Sequence, residues 1–519
     1  MKTCLEPLRP RESGIILHLS SLPGPFGIGK CGEEARAFVN RLAAAGVTYW
    51  QVLPFTVPGA GFSPYSSTSS FACNTAFIDP RPLVKVGLLT ESEVAEAIYG
   101  GTGYRTDYPF ALAAAERFLR LAFARLGAEQ KAEITHFAAR EAWLKPYAAY
   151  AVIKTYYDNL PWHEWPDKAL RRCDKKAVTA FLSGRQNEVD YIYFTQWLFR
   201  SQWEELRAYA NENGVGVIGD IPIFPDYDSC DVWANTGCFL LDEDLLPTAI
   251  AGVPPDYFSA DGQLWQNPLY DWQAMAQDGY SWWIDRIRYS LKLYDRIRID
   301  HFRGFESFWA VPPRAKTARV GEWRKGPGMK LFKAVEKALG AVNIIAEDLG
   351  DITDEVRQFL QDSGFPGMKV LQFAFDGRPD EGDLPYRYRE NTCAYTGTHD
   401  NQTTLGWLAT TVPEKRTHAL DYIGFPPNGP WHEGGPMAPG VRAFMRAVWS
   451  SPAFFAGAPL QDVLGYGDDA RMNVPGVAEG NWTFRVGSEE FQHWDPAPLK
   501  HLNELYGRFT PYRKAGDHA

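Results

Sequence analysis

Three carboxylic acids follow short apolar runs and have the chemistry of nucleophiles and of general acids and bases. Asp300 follows IRI, Glu347 follows IIA, and Asp400 ends the segment CAYTGTHD. Cleavage of a glycosidic bond needs an ionised nucleophile, a protonated acid that later acts as a base, and further polar groups that bind the sugar. With no set of metal ligands beside them, these three residues are a candidate catalytic trio for glycosidic bonds.

The surroundings of two of these acids suggest different charge states. In RIRIDHFRGF, Ile297 and Ile299 alternate with charged residues, so Arg298 and Asp300 share one face of a predicted strand. A solvated edge strand gives the same alternation. If the segment is buried, Arg298 can orient Asp300 and hold it ionised. Glu347 lies between apolar residues and Asp348, so desolvation and like charge both favour its protonated form.

The elements that must position these acids form a repeating pattern. Eight short runs rich in Val and Ile recur along the chain, and helix-like segments lie between most of them. This alternation predicts an α/β fold of the (β/α)₈ TIM-barrel class with large helical and loop insertions. In such a barrel the residues after the strands converge on one face. The predicted strands are GIILHLS from Gly14, VTYWQVLP from Val47, VGVIGDIPI from Val215, IRIDHFRG from Ile297, NIIAEDLG from Asn343, GMKVLQFAF from Gly367, CAYTGTHDN from Cys393 and AGAPLQDVLG from Ala456.

The chain of 519 residues is about twice as long as a bare barrel of this class, so insertions are required. We predict barrel strands 1 and 2 within residues 1–83, a helical insertion subdomain at 84–213, and the rest of the barrel at 214–519. A lid-like insertion rich in aromatic, Gly and Pro residues is expected at about 225–270. Loops that leave the carboxyl ends of barrel strands are where such folds build their sites.

Composition narrows the classes of partner and compartment. The net charge of -10 argues against a nucleic acid or an anionic membrane as partner, and no apolar stretch is long enough to span a bilayer. The N-terminus lacks the apolar core of a secretion signal. Seven scattered cysteines without a CxxC pair fit reduced thiols. We therefore expect a cytoplasmic protein with no metal site and no cofactor, and we read the cysteines as passive.

An ordered set of motifs resembles the 4-α-glucanotransferases (amylomaltases, or disproportionating enzymes) of glycoside hydrolase family 77, in the α-amylase superfamily. The resemblance extends over nearly the whole chain. The matching stretches are SGIILHLSSLPGPFGIG at 13–29, SPYSSTSSFACNTAFIDP at 63–80, GDIPIFP at 219–225, GVPPDYFSADGQLWQNPLY at 252–270, RIDHFRG at 298–304, AEDLG at 346–350, GMKVLQFAF at 367–375, TGTHDN at 396–401 and PLQDVLGYGDDARMNVPGVAEGNW at 459–482.

The resemblance implies a retaining transferase that moves α-1,4-glucan segments from a donor to the 4-hydroxyl of glucose or a maltooligosaccharide. It implies that Asp300 is the nucleophile, Glu347 the acid/base and Asp400 the transition-state stabiliser. Asp220 either binds sugar or braces the network. Asp220 is counted here among the substrate-binding residues. The resemblance implies the following set: Tyr65, Asp220, Tyr257, Phe258, Trp265, Asn267, Arg298, His301, Phe373 and His399.

Some positions depart from the family pattern, and other functions remain open. Gln266 and Cys73 stand where the family usually has Gly, and residues 235–238 replace a more common His-Pro-Glu-Leu type sequence. These changes bear on chain-length preference and product size. The same trio would also serve an α-1,4-glucan hydrolase. A noncatalytic glycan-binding scaffold would keep the aromatic residues without needing the trio, and a metal-dependent sugar isomerase would need a ligand cluster.

Overall fold

A closed barrel of eight parallel strands forms the centre of the protein. The computed structural model describes residues 10–255, 260–350, 352–375, 383–477 and 479–513. Tyr257 and Phe258, both predicted to bind substrate, lie outside the described residues. Within these ranges the strands are β1 (Glu12–Ile16), β2 (Tyr49–Gln51), β3 (Gly216–Ile221), β4 (Ile250–Val253), β5 (Gln263–Pro268), β6 (Arg296–Ile299), β7 (Ser307–Val311), β8 (Glu322–Lys325), β9 (Ile344–Ala346), β10 (Gly367–Val370), β11 (Thr392–Tyr395) and β12 (Phe455–Pro459).

The barrel strands pair in the order in which they occur along the chain. They run β1, β2, β3, β6, β9, β10, β11 and β12, and β12 closes onto β1. Every pairing is parallel, as between Asp220 of β3 and Arg298 of β6. The predicted (β/α)₈ TIM barrel is therefore confirmed. Each of the eight predicted runs overlaps one strand, although β1, β6, β11 and β12 begin one or two residues before the predicted run. Since all strands point the same way, the residues that follow them gather at one end of the barrel.

Strand β6 is buried on both sides, so the edge-strand alternative is wrong. Ile297 and Ile299 face the helices outside the barrel and belong to the main apolar core. Arg296 and Arg298 face the barrel interior, where Arg296 Nη1 donates to Glu12 Oε2 at 2.7 Å. A closed barrel has no solvated strand face, so charged residues on the inner face must find partners within it.

α-Helices connect most successive strands. In α1, for example, Ala35, Phe38, Val39 and Leu42 recur at helical spacing and are buried against the barrel. Between β10 and β11, the described residues 383–391 form only a 3₁₀ turn. The helices are α1 (Glu33–Ala44), α2 (Arg81–Lys85), α3 (Glu91–Ala95), α4 (Tyr108–Ala124), α5 (Ala128–Arg140), α6 (Leu144–Tyr156), α7 (Lys168–Arg171), α8 (Lys175–Leu182), α9 (Gln186–Glu212), α10 (Cys230–Ala234), α11 (Trp272–Gln277), α12 (Ser281–Leu293), α13 (Met329–Leu339), α14 (Asp354–Ser363), α15 (Thr404–Thr410), α16 (Pro413–Tyr422), α17 (Pro439–Ser450), α18 (Leu460–Val463), α19 (Ser488–His493) and α20 (Ala497–Leu505).

The long segment between β2 and β3 is helical. Residues 84–213 contain α3 to α9, and α9 also covers the barrel, where Trp203 packs edge-on against Trp50 of β2 at 6.3 Å. Helix α9 therefore belongs both to the helical segment and to the layer of helices around the barrel. The division of the chain at 83/84 and 213/214 stays a prediction.

A second, antiparallel sheet lies outside the barrel. Its strand order is β5-β4-β7-β8, so it joins the segment at 225–270 to the chain that follows β6. The register between β4 and β5 shifts between Ile250 and Gly252, which leaves residues 265–267 in a bulge. A bulge bends a strand and re-aims its side chains, and here it carries Trp265.

Arg508 lies at the end of the barrel opposite the carboxyl ends of the strands. Its side chain is fully buried. The guanidinium donates to five backbone oxygens, those of Glu12, Trp449, Ser451, Ala453 and Phe454. A planar group with five N–H donors can satisfy several carbonyls at once, so one side chain joins the N-terminal edge of β1 to the segment before β12.

Candidate active site

Asp300 is the first residue after β6 and is held by Arg298. Arg298 Nη2 donates to Asp300 Oδ1 at 2.8 Å, and Arg298 Nη1 donates to Asp220 Oδ2 at 2.5 Å. Asp220 Oδ2 also accepts from the hydroxyl of Tyr65 at 2.7 Å. One guanidinium thus orients two carboxylates on neighbouring strands, as expected for a forked donor.

Glu347 is the first residue after β9 and is fixed by two backbone amides. Its Oε2 accepts from the N–H of His301 and its Oε1 from the N–H of Leu349, both at 2.7 Å. The residue as a whole is 9% exposed. His301 directly follows Asp300, so the hydrogen bond from its N–H to Glu347 links the ends of the neighbouring strands β6 and β9. The two acids therefore lie at the same end of the barrel.

Asp400 lies in the loop after β11 and is held from three sides. Asn473 Nδ2 donates to Asp400 Oδ1 at 2.6 Å, and His399 Nε2 lies 3.2 Å from Asp400 Oδ2. Arg471 donates to the backbone oxygen of Asp400 at 2.7 Å. Strand β11 ends at Tyr395, earlier than the predicted run CAYTGTHDN, so His399 and Asp400 stand on a turn beyond the strand.

Burial and neighbouring charges set the protonation of the trio. Burial raises the pKa of Glu347 to about 7, and the negative charge of Asp300 adds to this shift. Burial also raises the pKa of Asp300, and the Arg298 guanidinium opposes that shift without cancelling it. Burial alone would raise the pKa of Asp400, yet the charge of His399 and the bonds from His399 and Asn473 bring it below its usual range.

The negative charge that raises the pKa of Glu347 does not come from the residue that the sequence predicted. The sequence pointed to Asp348, but the charge that raises the pKa of Glu347 is that of Asp300. Asp348 instead accepts a hydrogen bond from the backbone N–H of Met368 at 2.6 Å. Successive residues at a strand end point in opposite directions, so adjacency in sequence did not imply proximity of the two carboxyls.

Two aromatic rings flank the Asp400 side of the site. The ring of Tyr65 stacks on the imidazole of His399, with ring centroids 5.2 Å apart. Trp482 lies 5.7 Å from Tyr65 and 6.1 Å from His399. Tyr65 and His399 are therefore brought together as expected. Trp482 and Asn473 were not among the predicted site residues, although both lie in the quoted motif at 459–482.

Trp265 and His301 form the side near Asp300. Their rings meet edge to face at 4.9 Å. Burial, with the positive charge of Arg303, lowers the pKa of His301 to about 3, so its imidazole is neutral. His301 also has a positive φ of 48°, a strained backbone of the kind found at functional sites.

The other predicted residues are placed less directly. Phe373 follows β10 and packs against the barrel interior at the same end. The Asn267 amide donates to Pro225 O at 2.9 Å and to Asp226 Oδ1 at 3.2 Å. Gln266 has a φ of 68°, so this position takes the left-handed backbone that glycine accepts most easily.

Comparison with known proteins gives a consistent result. The family model described as 4-alpha-glucanotransferase (glycoside hydrolase family 77) matches residues 17–489. The 4-alpha-glucanotransferase of Streptococcus pneumoniae is 43% identical over 512 residues, covering 97% of this chain and 98% of that protein. The one from Thermus thermophilus is 42% identical over 509 residues, covering 96% and 99%. The solved structure of amylomaltase from Streptococcus agalactiae in complex with acarbose has a TM-score of 0.91 at 36% identity, covering 96% of this chain and 99% of that one.

Proposed function

The chain belongs to the 4-alpha-glucanotransferase family, and from that premise we propose which of its residues transfer α-1,4-glucan segments and how. The donor is an α-1,4-glucan such as a maltooligosaccharide or a fragment of starch or glycogen. The acceptor is the 4-hydroxyl of glucose or of another maltooligosaccharide. Among the described residues no helix is long and apolar enough to cross a bilayer, and a cytoplasmic location stays a prediction.

The observation that carries the proposed roles is the contrast between two neighbouring acids. Asp300 receives a guanidinium at 2.8 Å, whereas burial and the Asp300 charge raise the pKa of Glu347 to about 7. Near neutral pH this contrast favours a negative Asp300 beside a Glu347 that still carries its proton in a large fraction of molecules. Retaining glycosidases use such a pair as nucleophile and general acid.

In the first step an Asp300 oxygen attacks the anomeric carbon and forms an ester bond to the glucan. The bond from that carbon to the leaving 4-oxygen breaks, and Glu347 gives its proton to that oxygen. Asp400, held ionised by His399 and Asn473, would accept hydrogen bonds from ring hydroxyls and stabilise the positive charge that develops on the sugar.

In the second step the 4-hydroxyl of an acceptor glucan takes the place of the leaving group. Glu347, now a carboxylate, takes the proton of that hydroxyl while its oxygen attacks the anomeric carbon and releases Asp300. Two inversions give net retention. Transfer exceeds hydrolysis when the acceptor binds well and water is poorly placed, to which the rings of Tyr65, Trp265 and Trp482 around the site would contribute.

A time course on maltotriose tests this function. Transfer predicts glucose together with longer maltooligosaccharides, while the concentration of reducing ends stays constant. Since each hydrolytic event creates one new reducing end, a steady rise would establish the α-glucan hydrolase alternative. An unchanged maltotriose sample would refute both and would support the noncatalytic scaffold.

A further inference from the structure

Asp226 joins two chain segments that carry proposed substrate-binding rings. Its Oδ2 accepts from the hydroxyl of Ser66, and its Oδ1 accepts from Asn267 Nδ2 at 3.2 Å. Burial raises the pKa of Asp226 to about 6, against the effect of these two bonds. Asp226 is therefore largely ionised at neutral pH and can accept from both donors at once.

Each of the two donors lies beside a residue of the site. Ser66 follows Tyr65, whose hydroxyl bonds Asp220 and whose ring stacks on His399. Asn267 stands two residues after Trp265, whose ring meets His301. The two rings thus lie on segments that are far apart in sequence but share one carboxylate.

The segment with Trp265 needs such an anchor because its backbone is strained. Gln266 has a φ of 68°, and residues 265–267 bulge out of the pairing between β4 and β5. A non-glycine residue in the left-handed region persists only when the surrounding contacts hold it there. The side-chain contacts of Asn267 to Pro225 and Asp226 come directly after the strained residue.

We propose that Asp226 is a positioning residue that sets the affinity of the site for glucan by holding Tyr65 and Trp265 at a fixed separation. Asp226 does not touch the trio and takes no part in bond making. The inference rests on the proposed function, because it takes an α-1,4-glucan to be the ligand that the two rings grip.

Calorimetric titration with maltoheptaose tests the inference in an Asp300→Asn background, which prevents turnover. Asp226→Ala removes both bonds and is expected to weaken binding about 10-fold, the effect of a lost hydrogen bond to a charged group. Asp226→Asn should keep Kd within about threefold, because its amide can accept from Asn267 and donate to the Ser66 hydroxyl.

Asp231 provides a matched control. It accepts from the backbone N–H of Ser70 at 2.6 Å, in the same loop as Ser66, and burial likewise raises its pKa to about 6. Asp231→Ala should lower the Tm yet leave Kd within about threefold, because the hydrogen bond that it removes goes to Ser70 and not to Ser66 or Asn267. Equal weakening by Asp231→Ala, or unchanged binding by Asp226→Ala, would overturn the proposal.

Two further readouts separate the possible failures. If Asp226→Ala does not fold, Ser66→Ala takes its place, with Kd expected to weaken about threefold for one lost neutral bond. Unchanged binding by that variant would overturn the positioning role. If the Asp300→Asn parent itself does not bind maltoheptaose, the proposed substrate class fails, and the positioning role fails with it.

Discussion

Glu347 Oε2 accepts a hydrogen bond of 2.7 Å from the backbone N–H of His301. The carboxyl at the end of β9 is thereby tied to the residue that follows Asp300 at the end of β6. Because the donor is a backbone group just after a barrel strand, the fold fixes the position of the donor, and only the Glu347 side chain has to be ordered for the contact to form.

The acid/base role of Glu347 predicts a specific chemical rescue. Glu347→Ala should lower kcat for glucan transfer by about 10²- to 10⁴-fold, the usual contribution of a positioned proton donor. Azide needs no general base, so it should restore turnover of α-maltosyl fluoride and give α-maltosyl azide. NMR of the product reads the configuration. A β-azide, or no rescue, would remove Glu347 from this role.

The raised pKa of Glu347 predicts a pH-dependent cost in stability. Its pKa is about 7 in the folded protein and 4.5 ordinarily, so the folded state binds the proton more tightly and stability is lost as pH rises from about 4.5 to 7. Glu347→Gln removes that cost. The new amide in Glu347→Gln can accept only one of the two backbone N–H bonds, which costs the variant the same stability at every pH. Urea unfolding should therefore show the stability of the variant relative to the parent rising by about 2–3 kcal/mol from pH 5 to pH 8. An equal difference at both pH values would contradict the assignment.

The positive φ of Gln266 predicts that glycine is preferred there. Gln266→Gly should raise the free energy of unfolding by about 1 kcal/mol, because it relieves a left-handed conformation that costs L-residues. Gln263→Gly, in the same strand, serves as the control and should destabilise the protein. If both substitutions lower the midpoint of urea unfolding to the same degree, the strain at Gln266 is refuted.

The buried guanidinium of Arg508 predicts a large structural effect far from the site. Arg508→Met removes five hydrogen bonds to backbone oxygens and should cost about 3 kcal/mol, even though Trp449 O and Ser451 O keep a bond from Arg11 and Phe454 O keeps one from the Glu12 N–H. Lys333→Met on the exposed face of α13 should stay within about 0.5 kcal/mol of the parent. Chemical denaturation measures both. Comparable small losses would show that the Arg508 contacts contribute little.

The barrel could be predicted because its strands are local patterns. Runs of Val and Ile located all eight strands, but the predicted runs were longer than the strands. LQFAF at 371–375 continues the apolar letters of β10, yet the chain there forms a 3₁₀ turn. Apolar composition reports burial, and a buried turn has the same composition as a buried strand.

The parts that could not be predicted depend on partners far away in sequence. Arg296 pairs with Glu12 across 284 positions, so its alternation resembled that of an exposed strand. The antiparallel sheet of β4, β5, β7 and β8 joins short, irregular segments from two loops. Asn473 and Trp482 meet Asp400 and His399 only through the fold, although their place in a matching motif was an available signal.

The central claim is that Asp300 forms the covalent bond to the sugar. The most direct test treats Glu347→Gln with 5-fluoro-α-glucosyl fluoride, whose leaving group needs no acid and whose second fluorine slows release of the ester. Mass spectrometry of the digested protein should find one fluoroglucosyl group on the peptide with Asp300, and none after Asp300→Asn is added. A label on Glu347 or Asp400, or turnover without any adduct, would contradict the mechanism.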